Sequence, residues 1–314
     1  MKSHKNKMLV AVDLFSGGGG LTEGLKQAGF CVSAAAEVDP VACATYAANH
    51  PGAIVFNRDI CSLSGDELLR SSPTGTVDLI AACPPCQGFS SLTFKYHRDD
   101  PRNQLIFEFV RLVREVRPRA IMMENVPGLS KGAGSSLFQR ATEDLKEMGY
   151  ILAHNVLNVA DYGVPQARRR LVVLGGLGFP IAIPEATHSR IPASTQKPWK
   201  TVREAIAGMP KPITMELASR NGGPSKANWH VTRKISDLNV QRLRATKSGQ
   251  SRGQLPIELR PDCHKTSDKG FSNVYGRMSW NEPSPTITGG CTTLSKGRFG
   301  HPSQLRTISV REAA

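Results

Sequence analysis

The chain has 314 residues, of which 40 are Lys or Arg and 26 are Asp or Glu, so its formal net charge is +14 and its isoelectric point is about 9.7. This length suffices for one large α/β domain and a smaller second domain, and the positive charge favours a polyanionic partner. The seven irregularly spaced cysteines argue against a disulfide framework, and no apolar stretch reaches the ~20 residues of a membrane span.

The first half of the chain alternates short apolar runs with segments of helical periodicity. Asp13 interrupts the apolar run that follows the basic start, so we expect no signal peptide. Strands are predicted at 8–14, 31–37, 77–83, 119–125, 150–159 and 170–175, and helices from Leu21 and at 40–49, 101–117 and 135–148. This alternation predicts an α/β fold with a parallel or mostly parallel sheet, whose ligands bind at the carboxyl ends of the strands.

The composition changes near Phe179, after which Pro, Ser, Lys, Arg and Asn dominate and periodicity is weak. Because apolar anchors such as Trp199, Trp229 and Trp280 persist, we expect a small irregular domain rather than disorder. The predicted organisation is a catalytic and cofactor-binding domain at 1–178, a target-recognition domain at 179–285, and a return segment to the catalytic domain at 286–314.

Three strand ends carry motifs that can each be interpreted in more than one way. DLFSGGGG (Asp13–Gly20) is a glycine-rich turn before a helix, which suits either a nucleoside cofactor or a simple capped turn. Glu37 ends the next strand, where an acid can bind ribose hydroxyls. CPPCQGFS contains a CxxC pair, so a redox pair is the alternative to a nucleophile at Cys86, whereas Cys83 is expected to be a buried strand residue.

Two further motifs lie in the same half of the chain. ENV places Glu124 at the end of an apolar strand, either as an exposed turn residue or as an acid whose pKa is raised so that it donates a proton. QARRR, which contains Gln166, Arg168 and Arg170, precedes another strand, and its arginines form either a solvated surface or part of the same site. No metal site is predicted.

Taken together and in order, these residues resemble the DNA cytosine-5 methyltransferase family. DLFSGGGGL is similar to the family's S-adenosylmethionine loop, PPCQGFS to its catalytic-cysteine motif, ENV to its glutamate motif and QARRR to its arginine motif. RMSWNEPSPTIT resembles the end of the target-recognition region, and HPSQLRTISVREAA the start of the motif after it. The resemblance implies a Rossmann-like S-adenosylmethionine-dependent methyltransferase fold with a mostly parallel sheet and a small irregular target-recognition domain.

The resemblance also implies roles for individual residues. Cys86 would add to C6 of a flipped-out cytosine, Glu124 would protonate or hydrogen-bond N3, and Arg168 and Arg170 would hold the base carbonyl and nearby phosphates. Val38 would contact adenine, although the family often has a larger side chain there. The implied cofactor-binding residues are Phe15, Ser16, Gly17, Gly19, Leu21, Glu37, Val38, Asp59, Ile60, Pro85 and Leu105. The implied DNA-binding residues are Gln87, Ser90, Ser91, Lys95, His97, Arg98, Gln166 and Arg277.

The implied setting is a bacterial restriction-modification system in the cytoplasm, near the nucleoid. Duplex DNA is the expected partner and a cognate restriction endonuclease a further one. Ser309 and Glu312 form a predicted capping box for a helix that has only just begun at Ala314. We therefore expect either a monomer truncated before the family's last motif or a chain completed by a partner. The alternatives are an RNA cytosine methyltransferase and a non-catalytic DNA-binding subunit.

Overall fold

The computed structural model describes residues 8–85, 100–265 and 272–314. These residues form two compact units: residues 8–85, 100–157 and 169–185 form the first, and residues 158–168, 186–265 and 272–314 form the second. The predicted boundary at Phe179 lies close to the point at which the chain finally leaves the first unit. By its contacts, the stretch 286–314 groups with the second unit. Its role as a return segment to the catalytic domain stays a prediction.

The first unit is a seven-stranded sheet with helices between its strands. Its strands are β1 (Leu9–Leu14), β2 (Phe30–Glu37), β3 (Ile54–Asn57), β4 (Leu79–Ala82), β5 (Ala120–Asn125), β6 (Tyr150–Asn158) and, after the short β7 (Gln166–Ala167) of the second unit, β8 (Arg169–Leu177). Its helices are α1 (Gly20–Gln27), α2 (Pro40–Asn49), α3 (Gly65–Ser71), α4 (Ile106–Val116) and α5 (Ser135–Glu147).

The strand order is β3-β2-β1-β4-β5-β8-β6. The strands from β3 to β5 pair in parallel, whereas β8 runs antiparallel to β5. This topology confirms the predicted α/β class with a mostly parallel sheet. It places the ends of β1, β2, β3 and β4 at one edge of the sheet, which is the edge that the motifs were expected to share.

Alternating side chains of the central strands fill a separate core on each face of the sheet. On one face, Val12 and Leu14 of β1 belong to a large cluster that includes Leu68 of α3 and Phe109 of α4. On the other face, Ala11 packs in a smaller cluster with residues of β2, β4 and α1. The same alternation places Asp13 on the smaller cluster's face, where it lies under the glycine-rich turn.

The second unit consists of short elements held together by irregular contacts. Three two-stranded parallel pairs occur: β7 with β13 (Ser284–Pro285), β9 (His188–Ser189) with β10 (Lys197–Pro198), and β11 (Ile213–Thr214) with β12 (Val231–Thr232). The helices are α6 (Val202–Ile206), α7 (Met215–Arg220), α8 (Asp237–Ala245) and α9 (Val310–Ala313). A small core gathers Val202, Ile206, Met278, Phe299 and Ile308.

The three predicted tryptophan anchors differ in their surroundings. Trp280 packs against the small core of the second unit, and the indole of Trp199 donates a hydrogen bond to Asp161 at 2.8 Å. Trp229 is 53% exposed and is therefore not a buried anchor. In the described part of the chain, no helix combines the length and apolar character needed to cross a bilayer.

Candidate active site

A cleft of about 400 Å³ opens where β1, β2, β3 and β4 end. Most of its wall comes from the end of β2 and from residues that closely follow these strands, as expected for a parallel sheet. Arg102 and Leu105 come from the segment just before α4. The lining residues are Phe15, Ala36, Glu37, Val38, Arg58, Asp59, Ile60, Cys83, Pro85, Arg102 and Leu105.

Seven of the predicted cofactor residues line this cleft: Phe15, Glu37, Val38, Asp59, Ile60, Pro85 and Leu105. The other four, Ser16, Gly17, Gly19 and Leu21, are not part of its lining, and Leu21 instead packs against the smaller core cluster. Sequence reasoning missed Arg58 and Arg102 at the wall. It also treated Cys83 only as a buried strand residue, whereas this half-buried side chain faces the cleft.

Glu37 fastens the glycine-rich turn to the end of β2. Its carboxylate accepts hydrogen bonds from the backbone N–H of Gly17 at 2.9 Å, of Val38 at 2.8 Å and of Asp39 at 2.9 Å. A carboxylate has about four acceptor positions, so Glu37 retains capacity for one more donor. Asp59 similarly accepts from the backbone N–H of Cys61, which holds the pKa of Asp59 below its usual value.

The turn between β1 and α1 has left-handed backbone at three positions. Phe15 has φ 58°, Gly17 φ 53° and Gly19 φ 94°. Gly19 is also closely packed, because a Cβ there would lie 2.4 Å from Nε2 of His50. This nitrogen instead lies 3.1 Å from the carbonyl oxygen of Gly19. The C-terminal end of α2 therefore packs against the turn.

A buried chain of hydrogen bonds supports the same turn. Thr22 Oγ1 lies 2.7 Å from Asp13 Oδ2 and 2.7 Å from the hydroxyl of Tyr46. Asp13 is only 1% exposed. Burial raises its pKa to about 7, despite the opposing hydrogen bonds from Thr22.

The end of β5 holds the segment that leads to the predicted nucleophile. Asn125 donates its side-chain amide to the carbonyl oxygen of Pro84 at 3.1 Å and accepts from the backbone N–H of Val126 at 2.8 Å. Pro85 lines the cleft and directly precedes Cys86 in the sequence. The backbone at Pro84, after β4, is therefore attached to the end of β5.

Glu124 and Arg170 form an ion pair on neighbouring antiparallel strands. Arg170 Nε lies 2.8 Å from Glu124 Oε1, and the two side chains are 19% and 27% exposed respectively. The predicted acid and one of the predicted arginines therefore lie together, one residue from the amide that holds Pro84.

Of the other predicted catalytic and DNA-binding residues, some belong to the second unit and the rest lie outside the described residues. Arg168 and Gln166 belong to the second unit, where Gln166 Oε1 accepts from the backbone N–H of Ile287 at 3.3 Å. The predicted nucleophile and six predicted DNA contacts lie outside the described residues: Cys86, Gln87, Ser90, Ser91, Lys95, His97 and Arg98.

Arg277 requires a correction to its predicted DNA contact. The side chain is 5% exposed, and its guanidinium donates to backbone carbonyl oxygens at 2.6–3.0 Å. These acceptors belong to Leu243, Thr246, His301 and Gln304. With its donors bound inside the second unit, Arg277 joins irregular segments of that unit and does not present a guanidinium to a DNA surface.

Comparisons with known proteins identify the family of the chain. A family model described as C-5 cytosine-specific DNA methylase matches residues 9–314. The Type II methylase M.HgiDII of Herpetosiphon aurantiacus is 36% identical over 305 residues, covering 96% of this chain and 82% of that protein. The Type II methyltransferase M1.HphI of Haemophilus parahaemolyticus is 35% identical over 310 residues, covering 98% and 76% respectively.

A solved structure from Escherichia coli, described as a prophage-encoded DNA modification methyltransferase, superposes with a TM-score of 0.71. It is 25% identical, and the match covers 97% of this chain and 86% of that one. This confirms the predicted methyltransferase fold class, and the Type II relatives associate the chain with DNA methylation in restriction-modification systems. The chain belongs to the C-5 cytosine-specific DNA methylase family and is a DNA cytosine methyltransferase.

Proposed function

We propose that the protein transfers a methyl group from S-adenosylmethionine to C5 of a flipped-out cytosine in duplex DNA, through a covalent bond between Cys86 and C6. The observation that supports this most directly is the Asn125–Pro84 hydrogen bond. It fixes the segment before Cys86 beside the strand end that carries Glu124. A thiol that follows this segment in the sequence would, together with the carboxylic acid of Glu124, suit nucleophilic attack with proton donation.

The chemistry follows from the poor nucleophilicity of C5 in cytosine. The Cys86 thiolate adds to C6, while Glu124 donates a proton or a hydrogen bond to N3 and stabilises the charge that the attack creates. When bound, the cofactor would supply an electrophilic methyl group to C5 of the resulting enamine, with cleavage of its S–CH3 bond and release of the neutral thioether. Loss of the C5 proton to a base then restores the double bond and expels the Cys86 thiolate. Arg170, held by Glu124, and Arg168 position the base carbonyl and adjacent phosphates.

The residues around the cleft fit S-adenosylmethionine. Glu37 has remaining acceptor capacity for a ribose hydroxyl, and Val38, which is 66% exposed, offers an apolar surface to a flat base. The buried hydroxyl of Ser16 has no hydrogen-bond partner within the described residues, which suits a polar ligand at the glycine-rich turn. Ile60 and Leu105 complete the apolar part of the same cleft.

The decisive experiment uses duplex DNA that contains 5-fluorocytosine, because fluorine at C5 blocks the final elimination and traps the covalent adduct. We expect wild type to form a denaturation-resistant adduct in the presence of S-adenosylmethionine, and Cys86→Ser to form none. Cys83→Ser is the matched control and should retain the adduct. An adduct with Cys86→Ser, or its loss with both variants, would contradict the proposed nucleophile.

The biological setting is also a proposal. The Type II names of the relatives support action on a specific duplex sequence, alongside a cognate restriction endonuclease and near the bacterial nucleoid. We propose a monomer that uses the 179–285 region for target recognition. Bisulfite sequencing of DNA from expressing cells should show methylcytosine in one sequence context, whereas methylation confined to RNA would favour the RNA methyltransferase alternative.

A further inference from the structure

The positive charge of the chain is concentrated in one of its two units. Residues 158–168 and 186–314 contain 22 Lys and Arg against nine Asp and Glu, so they carry +13 of the net +14. The remainder of the chain has 18 basic and 17 acidic residues and is almost neutral. Because a phosphate-binding surface needs unbalanced positive charge, such a surface is expected in the second unit.

An open groove in the second unit gathers part of this charge. Lys211, Arg233 and Lys234 are exposed and line a concavity of about 720 Å³. Lys211 precedes β11, and Arg233 and Lys234 directly follow β12. The parallel pairing of Ile213 with Val231 therefore sets the spacing of the three side chains.

Internal hydrogen bonds hold the floor of the groove. Arg306 is 8% exposed and binds both carboxylate oxygens of Glu312, at 2.6 and 2.7 Å. The hydroxyls of Thr232 and Thr307 lie 3.3 Å apart beneath it. A preformed groove does not have to be ordered when a ligand binds, which reduces the entropy cost of association.

The three basic side chains are not neutralised by nearby acids. None forms an ion pair with a carboxylate anywhere in residues 8–85, 100–265 and 272–314. Asp237, in the first turn of α8, is the acidic residue of the lining. Glu216 lies near enough for Lys234 to contribute to its lowered pKa, after the larger effects of hydrogen bonds at the start of α7. The groove therefore keeps an excess of positive charge.

We infer that the groove formed by Lys211, Arg233 and Lys234 binds backbone phosphates of the duplex DNA substrate. This inference rests on the proposed function, because it takes duplex DNA as the ligand. Lysine and arginine at the groove contact phosphates without reading the bases, so they contribute affinity and not sequence specificity.

The test measures duplex DNA binding by fluorescence anisotropy over a range of KCl concentrations. The variant is Lys211→Gln/Arg233→Gln/Lys234→Gln. We expect its plot of log Kd against log [KCl] to become shallower by about 0.9 for each phosphate that the variant no longer neutralises. The matched control, Lys26→Gln/Arg70→Gln/Lys146→Gln, removes three exposed charges from the first unit and should leave the slope close to that of wild type.

The experiment distinguishes a wrong inference about the groove from a wrong proposed function. If wild type binds DNA but the groove variant and the control give equal slopes of log Kd against log [KCl], the inference that the groove binds phosphates is wrong. The methyltransferase proposal would remain intact. A wild-type protein that does not bind duplex DNA would instead overturn the proposed function. The charge-retaining variant Arg233→Lys/Lys234→Arg should keep the wild-type slope. If its slope becomes as shallow as that of the groove variant, local disruption rather than the removal of charge is responsible, and the inference is wrong.

Discussion

At the scale of the residue, the Glu124–Arg170 pair shows how neighbouring strands can orient the carboxylate that we propose as the acid. Each side chain is partly exposed, so the pair remains accessible to a substrate while each partner restricts the rotamers of the other. Exposed ion pairs usually contribute little to stability. The value of this pair therefore lies in placing the carboxylate, which is testable through catalysis.

We predict that Glu124→Gln lowers the single-turnover rate of methyl transfer by about 10²–10⁴-fold, the usual contribution of a positioned acid. Duplex binding should change by only a few fold, because the neutral amide keeps the shape of the side chain. Rapid-quench measurement with saturating DNA and cofactor tests this. Glu147→Gln, at the exposed end of α5, controls for loss of a negative charge, and a rate loss below tenfold for Glu124→Gln would contradict the role.

Two adjacent glycines of the turn between β1 and α1 provide a second prediction. Gly19→Ala places a Cβ at φ 94° and 2.4 Å from His50 Nε2, so it should cost at least about 1–3 kcal/mol of unfolding free energy and weaken cofactor binding. Gly20→Ala has no heavy atom within 4 Å of the added Cβ and lies at the start of α1. It should be neutral or slightly stabilising. Urea denaturation measures the unfolding free energy and calorimetric titration measures cofactor affinity. Similar losses in both variants would contradict the argument that a Cβ at position 19 strains the turn.

Asp13 makes stability depend on pH. Its pKa is raised by burial from 3.8 to about 7, so between those pH values the folded protein holds a proton that the unfolded chain has released. Stability from this group is complete below pH ~4 and is lost as pH rises towards ~7, by up to a few kcal/mol at about 1.4 kcal/mol per pKa unit.

Asp13→Asn should therefore gain stability relative to wild type as pH increases from 4.5 to 8. Urea midpoints measured across this range test the trend. Asp66→Asn, an exposed residue in the first turn of α3, controls for removing one negative charge. A constant difference between Asp13→Asn and wild type would show that the buried carboxyl is not protonated in the folded state.

At the scale of the element, the sequence predicted those helices and strands that are set by hydrophobic periodicity and by helix caps. The helix expected at 40–49 is α2, because Asp39 caps it and Pro40 begins it. The missed α3 also had a signal, since Ser64 and Glu67 form its capping box. The missed β3 has only four residues, too few to show a period.

The second unit and part of the site were beyond such reasoning. Its order depends on contacts distant in sequence, such as the bonds from Arg277 to carbonyl groups 24–34 residues away, which leave no periodic pattern. The strand ends that form the cleft were predictable from alternation. The Asn125–Pro84 hydrogen bond was not, because it needs the register between β4 and β5.

The predicted capping box of α9 is confirmed, with Ser309 Oγ accepting from the backbone N–H of Glu312 at 3.0 Å. Glu312 also binds the buried Arg306. We predict that Glu312→Gln costs about 3–5 kcal/mol, because it leaves the guanidinium buried without its counter-charge. Glu282→Gln breaks an exposed pair with Arg190 and should cost less than ~1 kcal/mol. Thermal unfolding compares them, and equal costs would contradict the buried-pair argument.

At the scale of the whole molecule, the two units differ in charge. The cleft that we propose to bind the cofactor lies in the nearly neutral first unit, whereas the second unit carries +13. A zwitterionic cofactor with one net positive charge displaces few counterions when it binds a neutral cleft. Duplex DNA, in contrast, releases condensed counterions for every phosphate that a basic surface neutralises.

We therefore predict opposite sensitivities to salt for the two binding steps. Between 50 and 200 mM KCl, the Kd for S-adenosylmethionine should change by less than about threefold, whereas six or more phosphate contacts would raise the Kd for a duplex by about 10³-fold or more. Isothermal titration calorimetry measures the first and fluorescence anisotropy the second, each with the same protein preparation. If the cofactor Kd rises with KCl as steeply as the DNA Kd, salt ions compete with the cofactor at the cleft itself. The prediction that only DNA binding depends strongly on salt would then be wrong.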